Sequence, residues 1–211
     1  MMRSFLIGTA ALCLGMVTTG CSRSPRVTYY TLEPGAGVEA PVSDLTVPSV
    51  AVGPVTIPEL VDRPQLVVRV AANRVAILEA HRWAEPLKSE IPRLVAQHLG
   101  RLLGSNRVSS YRQHAGGRAD YRVLIDIVRL ESEPGEAVTV EADWAIRREA
   151  GGTVKAGHSL VREKVVGAGY DALVAGCSRA LAGVSAELAG AIRAGDAAQA
   201  PPAVKNGMLG E

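Results

Sequence analysis

The chain has 211 residues, enough for one domain with a substantial core, and a formal net charge of +2 with 21% charged residues. So even a balance excludes the concentrated basic patch of a nucleic-acid binder, and 4% aromatics leave little material for base stacking. No nucleic-acid partner is expected.

Arg3 supplies a positive start, and Phe5 to Val17 is an uncharged, mostly apolar run. It has the length of a signal-peptide core and falls short of the ~20 residues a spanning helix needs. Thr18, Thr19 and Gly20 follow, and then Cys21. The pattern resembles a bacterial lipoprotein signal, whose cysteine is acylated and becomes the new N-terminus. Thr18 departs from that class, which usually has Leu there. The plain alternative is an exported protein with a chance cysteine. Residues 1–20 are read as a lipoprotein signal peptide and residues 21–26 as a lipidated tether. An anchor of two or more acyl chains is effectively permanent, because each buried CH₂ contributes ~0.8 kcal/mol. The tether from Ser22 to Arg26 spans at most roughly 17 Å, which would hold the domain close to the bilayer. By the same resemblance, Ser22 implies transfer to the outer membrane, where Asp would imply retention in the inner one. Cys13 leaves with the signal and Cys21 takes the lipid, so Cys177 has no internal disulfide partner and reads as a small buried hydrophobe.

Val27 to Leu32 has the β-branched and aromatic content of a strand. A Pro/Gly loop follows, then a strand from Leu45 to Val55 interrupted by Pro48 and Pro54, which points to an edge or bulged position. Gln65 to His81 reads as a hairpin with arms Val67–Val70 and Val75–Leu78 and a turn near Ala72-Asn73. Leu87, Ile91, Leu94, Val95, His98, Leu99, Leu102 and Leu103 then form one helical stripe. Pro92 conflicts with a helix interior. Either Ser89 caps a helix that starts at Glu90, which is the preferred reading, or the helix kinks.

Asp120 to Glu131 is apolar on both faces, as in a central strand. Ala137 to Glu149 alternates, with Val138, Val140, Ala142, Trp144 and Ile146 on one face. After a turn at Glu149–Gly152, Thr153 to Val166 returns as a third antiparallel strand, and a final amphipathic helix runs from Tyr170 to Ile192. The expected architecture is a single α+β domain over residues 27–194, a largely antiparallel sheet with two amphipathic helices on one face. Residues 195–211 carry no periodic pattern and read as a disordered tail.

The search for chemistry returns nothing. The chain has no GxGxxG, GxxxxGK[ST], GxSxG or HExxH, and His81, His98, His114 and His158 are dispersed without ligand spacing. No metal site, cofactor or catalytic residue is expected. His98 lies on the apolar stripe and reads as a core or rim histidine. Asp126 is either a buried carboxylate or, more simply, a strand residue facing water or an arginine.

Three segments carry a resemblance: "YYTLEP", "VGPVTIPELVDRPQLVVR" (Val52 to Arg69) and "HRWAEPL" (His81 to Leu87). With "ADWAIRREAGGTVKAGHSL" and the closing helix, they resemble the PqiC/YmbA-type lipoproteins over roughly Val27 to Ala194. These are auxiliary components of ABC-linked, MCE-domain transport systems. The resemblance implies a non-enzymatic, lipid-anchored domain on the outer membrane, facing the periplasm. Its partners would be an MCE-domain protein and an inner-membrane transport complex that moves lipid across the envelope. Pro92 departs from the family, whose equivalent helix is normally proline-free.

The motif residues Tyr29, Tyr30, Pro58, Pro64, Arg82, Trp83, Glu85 and Pro86 read first as structural. The prolines fix φ and forbid helix in the residue before each. Trp83 would seat the helix start on the sheet, and Glu85 would favour its positive end. Asp62-Arg63-Pro64 reads as a turn with a local ion pair, or as a rigid polar loop shown to a partner. Leu60 and Val61 are apolar in a loop, and together with Asp62, Arg63 and Gln65 they are the candidate partner contacts. A carrier holding an acyl chain in its own core is the alternative function. An envelope hydrolase or sugar binder would need clustered carboxylates or aromatics that the chain does not display. Self-association would suit a conduit and is left open.

Overall fold

The computed structural model describes residues 26–35, 48–111, 119–149 and 154–197. Cys21, the signal peptide and most of the tether lie outside these residues. In chain order the elements are β1 (Thr28–Tyr30), β2 (Val50–Thr56), β3 (Gln65–Ala71), β4 (Arg74–Trp83), α1 (Leu87–Leu103), β5 (Val108–Ser110), β6 (Tyr121–Glu133), β7 (Ala137–Arg148), β8 (Val154–Lys164) and α2 (Gly169–Ala197).

The fold is α+β and forms a single domain, with the strands divided between two sheets. One has the order β1-β4-β3, the other β5-β2-β6-β7-β8. The hairpin and the meander are antiparallel as expected. By contrast, β1 runs parallel to β4, and β2 runs parallel to both β5 and β6. The proline-bearing strand is therefore internal, not at an edge. A register shift between Val52 and Val55 takes Pro54 out of the ladder, so its missing N–H leaves no pairing unmade. The bulged half of that expectation holds.

Helix α1 begins three residues before the Ser89-capped start. Pro86 is its N-cap, and the Pro86 carbonyl accepts from the N–H groups of Ser89 and Glu90. Pro92 therefore lies inside the helix, where the Lys88 carbonyl loses its i+4 donor. Gly104, at φ 65°, ends α1 in the left-handed conformation that glycine adopts without strain, and the Ser105 N–H returns to the Gly100 carbonyl. Helix α2 is longer than expected and runs to Ala197, past the start of the supposed tail; residues 198–211 lie outside those described.

The two helices are parallel. His98 faces Ser185, and the Arg193 guanidinium donates to the Leu102 carbonyl at their C-terminal ends. Together they cover one face of the five-stranded sheet. Ile91, Val95 and Leu99 from α1 meet Leu173, Leu181, Val184 and Leu188 from α2 over Val50, Val123, Val138 and Val140. Fully burying each such side chain contributes about 1.5–3 kcal/mol. By length and composition α2 could cross a bilayer, yet most of it is buried against its neighbours, as in a core helix.

The opposite face of the sheet is mostly polar and cross-linked, with Leu160, opposite Glu141, exposed among its charges. Arg129 pairs with Glu141 at 2.7 Å, Arg162 with Glu133 at 2.9 Å, and His158 with Asp143 at 2.8 Å. Asp126 faces water on this side, as the simpler reading had it, and accepts the Thr56 hydroxyl.

Candidate docking groove

Three sequence-distant segments converge on the small sheet. Tyr30 pairs with Trp83 across β1 and β4. The Trp83 N–H donates to the Pro64 carbonyl at 2.7 Å, and the Ala84 N–H to the Tyr30 carbonyl at 2.8 Å. The Tyr30 hydroxyl meets His81 Nδ1 at 2.7 Å. Trp83 thus joins Tyr30 on one side to Pro64 on the other.

The loop from Pro58 to Gln65 folds over this junction. The Pro58 carbonyl accepts from the Val61 and Asp62 N–H groups at 3.0 and 3.2 Å, a helix-like turn. Val61 is only 7% exposed and belongs to the core, so it is not available for partner contact; Leu60, at 43%, points out. The turn's ion pair is not local either. Asp62 reaches past Arg63 to Lys88 Nζ on α1 at 2.5 Å, because the helix start stands directly beside the loop. Arg63 leaves its Nε buried without a hydrogen-bond partner. Gln65 donates to Glu79, which also pairs with Arg82 at 3.3 Å. Glu85 takes Arg93 at 2.8 Å. Tyr29 is exposed.

Beside the loop lies a groove of about 420 Å³, walled by Val52–Val55 of β2, by Lys88, Ser89, Pro92 and Arg93 of α1, and by Ser110 and Tyr111. Its floor is largely apolar and two cations stand on its rim. Gly53, at φ +121°, lets β2 approach Tyr111; a β-carbon there would sit 3.2 Å from Tyr111 Cβ. The Tyr111 ring carries the Arg122 guanidinium at 4.9 Å. The Lys88–Asp62 pair links loop and groove into one continuous surface. A surface of this make-up suits an extended polypeptide or an acyl segment.

A second feature is buried. Glu90 on α1 is 1% exposed; its Oε1 accepts the Leu32 N–H at 3.1 Å and its Oε2 has no partner. Burial raises its pKa against the opposing pull of the Leu32 N–H and Arg93. Burial, with Glu90 nearby, pushes the Cys177 thiol up to about 12, so it is an inert core group. The Glu33 N–H reaches Ser178 Oγ at 3.2 Å, and Arg101 donates to the Pro34 carbonyl at 2.6 Å. The segment after β1 is thereby clamped to both helices. Sequence reading passed over Glu90, although its spacing of three from Leu87 and four from Leu94 puts it on the buried stripe.

This seam is structural. Ser185 lies 3.4 Å from His98 Nδ1, but it is fully buried and gives its proton to the Leu181 carbonyl at 2.7 Å. Burial lowers the pKa of His98. Among the described residues no group of three or more His, Cys, Asp or Glu side chains could hold a metal ion.

A family model described as "ABC-type transport auxiliary lipoprotein component" matches residues 30–189. The chain belongs to that family. Membership makes it an auxiliary lipoprotein of an ABC-type transport system, carried on a membrane. Solved structures agree on the fold. A Xanthomonas campestris protein superposes with a TM-score of 0.63 at 20% identity, over 82% of this chain and 99% of its own. The crystal structure of an uncharacterized protein gives 0.63 at 19% identity, over 79% and 99%. Among curated proteins none matches. In this auxiliary lipoprotein the three motif segments thus meet at the small sheet, and the second also supplies the β2 wall of the groove and the loop beside it.

Proposed function

We propose that this protein is the non-enzymatic, outer-membrane-anchored auxiliary component of an MCE-type, ABC-linked lipid transport system, acylated at Cys21. The family match over residues 30–189 is the observation that carries the reading. The lipoprotein-like signal ending at Cys21 supports anchoring, and Ser22 supports the outer membrane over the inner. The groove with its rim of Lys88 and Arg93, and the adjoining loop with exposed Leu60, would receive an extended segment of the MCE-domain partner.

An acyl-chain carrier is the weaker reading, because Ile91, Leu99, Leu181 and Leu188 fill the space between helices and sheet. A lipid chain would have to use the open groove instead. Affinity capture of the full-length, Cys21-bearing protein from solubilised envelopes should recover an MCE-domain protein. Capture of the lipoprotein alone would count against the partner assignment, and co-purifying lipid in native mass spectrometry would favour the carrier.

A further inference from the structure

One end of the domain gathers exposed apolar side chains from three separate elements. Tyr29 on β1 is 62% exposed and Val166, in the loop between β8 and α2, is 73% exposed; Val70 and Ile77 on the β3–β4 hairpin are also exposed. Three contacts bring these elements to the β6–β7-turn end of the five-stranded sheet, with Tyr29 and the β3–β4 turn at opposite ends of the small sheet. The His81 ring of β4 lies 4.3 Å from that of Tyr170 in the first turn of α2. Arg69, next to Val70, pairs with Glu131 near the end of β6 at 2.6 Å. The Val165 N–H donates to the Glu136 carbonyl in the β6–β7 turn at 2.9 Å. The helix C-termini, with Leu102 and Arg193, lie at the other end.

The chain enters the fold at this same apolar end, since Arg26 directly precedes β1. We propose that the end bearing Tyr29, Val70, Ile77 and Val166 rests on the lipid bilayer, so that the domain stands on the membrane in a fixed orientation. The inference rests on the acylation of Cys21 proposed above. Five residues beyond Cys21 reach Arg26 and cover at most roughly 17 Å, so this end cannot leave the neighbourhood of the surface. A tyrosine suits the interface, its ring among the acyl chains and its hydroxyl in the headgroups. Val166 projects from a loop pinned through Val165, where a side chain meets lipid without unfolding anything. Several charges around the patch are paired, Arg69 with Glu131, Arg162 with Glu133 and Arg179 with Glu163, while Arg26 and Arg74 stand exposed beside Tyr29 and Val70. Apolar insertion makes the contact, and Arg26 and Arg74 are placed to meet anionic headgroups beside it.

The test uses the full-length acylated protein in phosphatidylethanolamine/phosphatidylglycerol vesicles whose chains carry bromine as a fluorescence quencher. An environment-sensitive side chain is installed singly at Tyr29, Val166, Leu102 or Tyr111. Severalfold quenching at positions 29 and 166, with little at 102 and 111, is the expected result. Vesicle-bound protein with no quenching at 29 and 166 would overturn the orientation while leaving the anchor intact. Protein that fails to float with the vesicles would overturn the anchor, and the orientation with it.

Discussion

The indole of Trp144 lies across the backbone of Gly157, its partner on the neighbouring strand: a β-carbon at Gly157 would stand 2.2 Å from Trp144 Cζ2. Only a residue without a side chain fits beneath the ring. The indole N–H then reaches Ser159 at 2.9 Å, and Ser159 in turn donates to Glu187 on α2, so one aromatic joins β7, β8 and the helix.

Gly157→Ala should therefore destabilise the fold by about 1–3 kcal/mol through overpacking, read as a lower urea midpoint. The same change in a Trp144→Ala background should cost little, because the clash and the single substitution share one cause. Equal costs in both backgrounds would show that the ring does not set the requirement.

Pro92 stands in the interior of α1 and faces the groove. Pro92→Ala restores the N–H owed to the Lys88 carbonyl and gives up a buried ring. The net expectation is a gain of about 1 kcal/mol, seen as a raised Tm, together with weaker partner recovery if the proline shapes the groove wall. A lowered Tm would mean that ring packing outweighs the missing hydrogen bond.

Two carboxylates should bend stability with pH in opposite senses. The folded pKa of Glu90 is raised above its ordinary 4.5, so the folded state holds a proton that the unfolded state has released. Stability then falls as pH climbs from 4.5 through the raised value. Glu90→Gln should match the parent near about pH 4 and exceed it near about pH 8. Asp120 is the reverse: the Ser49 N–H and hydroxyl, each 2.7 Å away, hold its pKa below 3.8. Its contribution is present above 3.8 and lost as pH drops through the lowered value, an advantage that Asp120→Asn removes. Denaturant titrations of both variants across pH check the two signs together.

Tyr111 and Lys88 separate function from stability. Tyr111 is exposed, and Lys88 forms a partly exposed ion pair of the kind worth about 0–1 kcal/mol. Tyr111→Ser and Lys88→Ala should each shift stability by less than about 1 kcal/mol and sharply reduce capture of the transport partner. Unchanged capture by both would move docking away from the groove.

Much of this fold is written in local pattern. The stripes of α1 and α2, the β3–β4 hairpin and the β6–β7–β8 meander all follow from spacings within about a dozen residues, where periodicity speaks plainly. What escaped were pairings between distant segments. Nothing near Val50–Thr56 reveals that β2 slots between β5 and β6, since the bulge that excuses Pro54 exists only once β6 is alongside. The start of α1 was misread because Ser89 resembles a cap, whereas Pro86 supplies it through its carbonyl. Val61 looked like a contact residue because loops are seldom apolar, and it is apolar because this loop closes over the core. The motif residues Tyr30, Pro64 and Trp83 were legible as a set, and their meeting at Trp83 was not.

Intact-mass and N-terminal analysis of the protein purified from native membranes tests the account most directly. The prediction is a mature chain that begins at Cys21 and carries the mass of its acyl chains, found in the outer-membrane fraction. A soluble periplasmic product, or one with an unmodified thiol at Cys21, would contradict it.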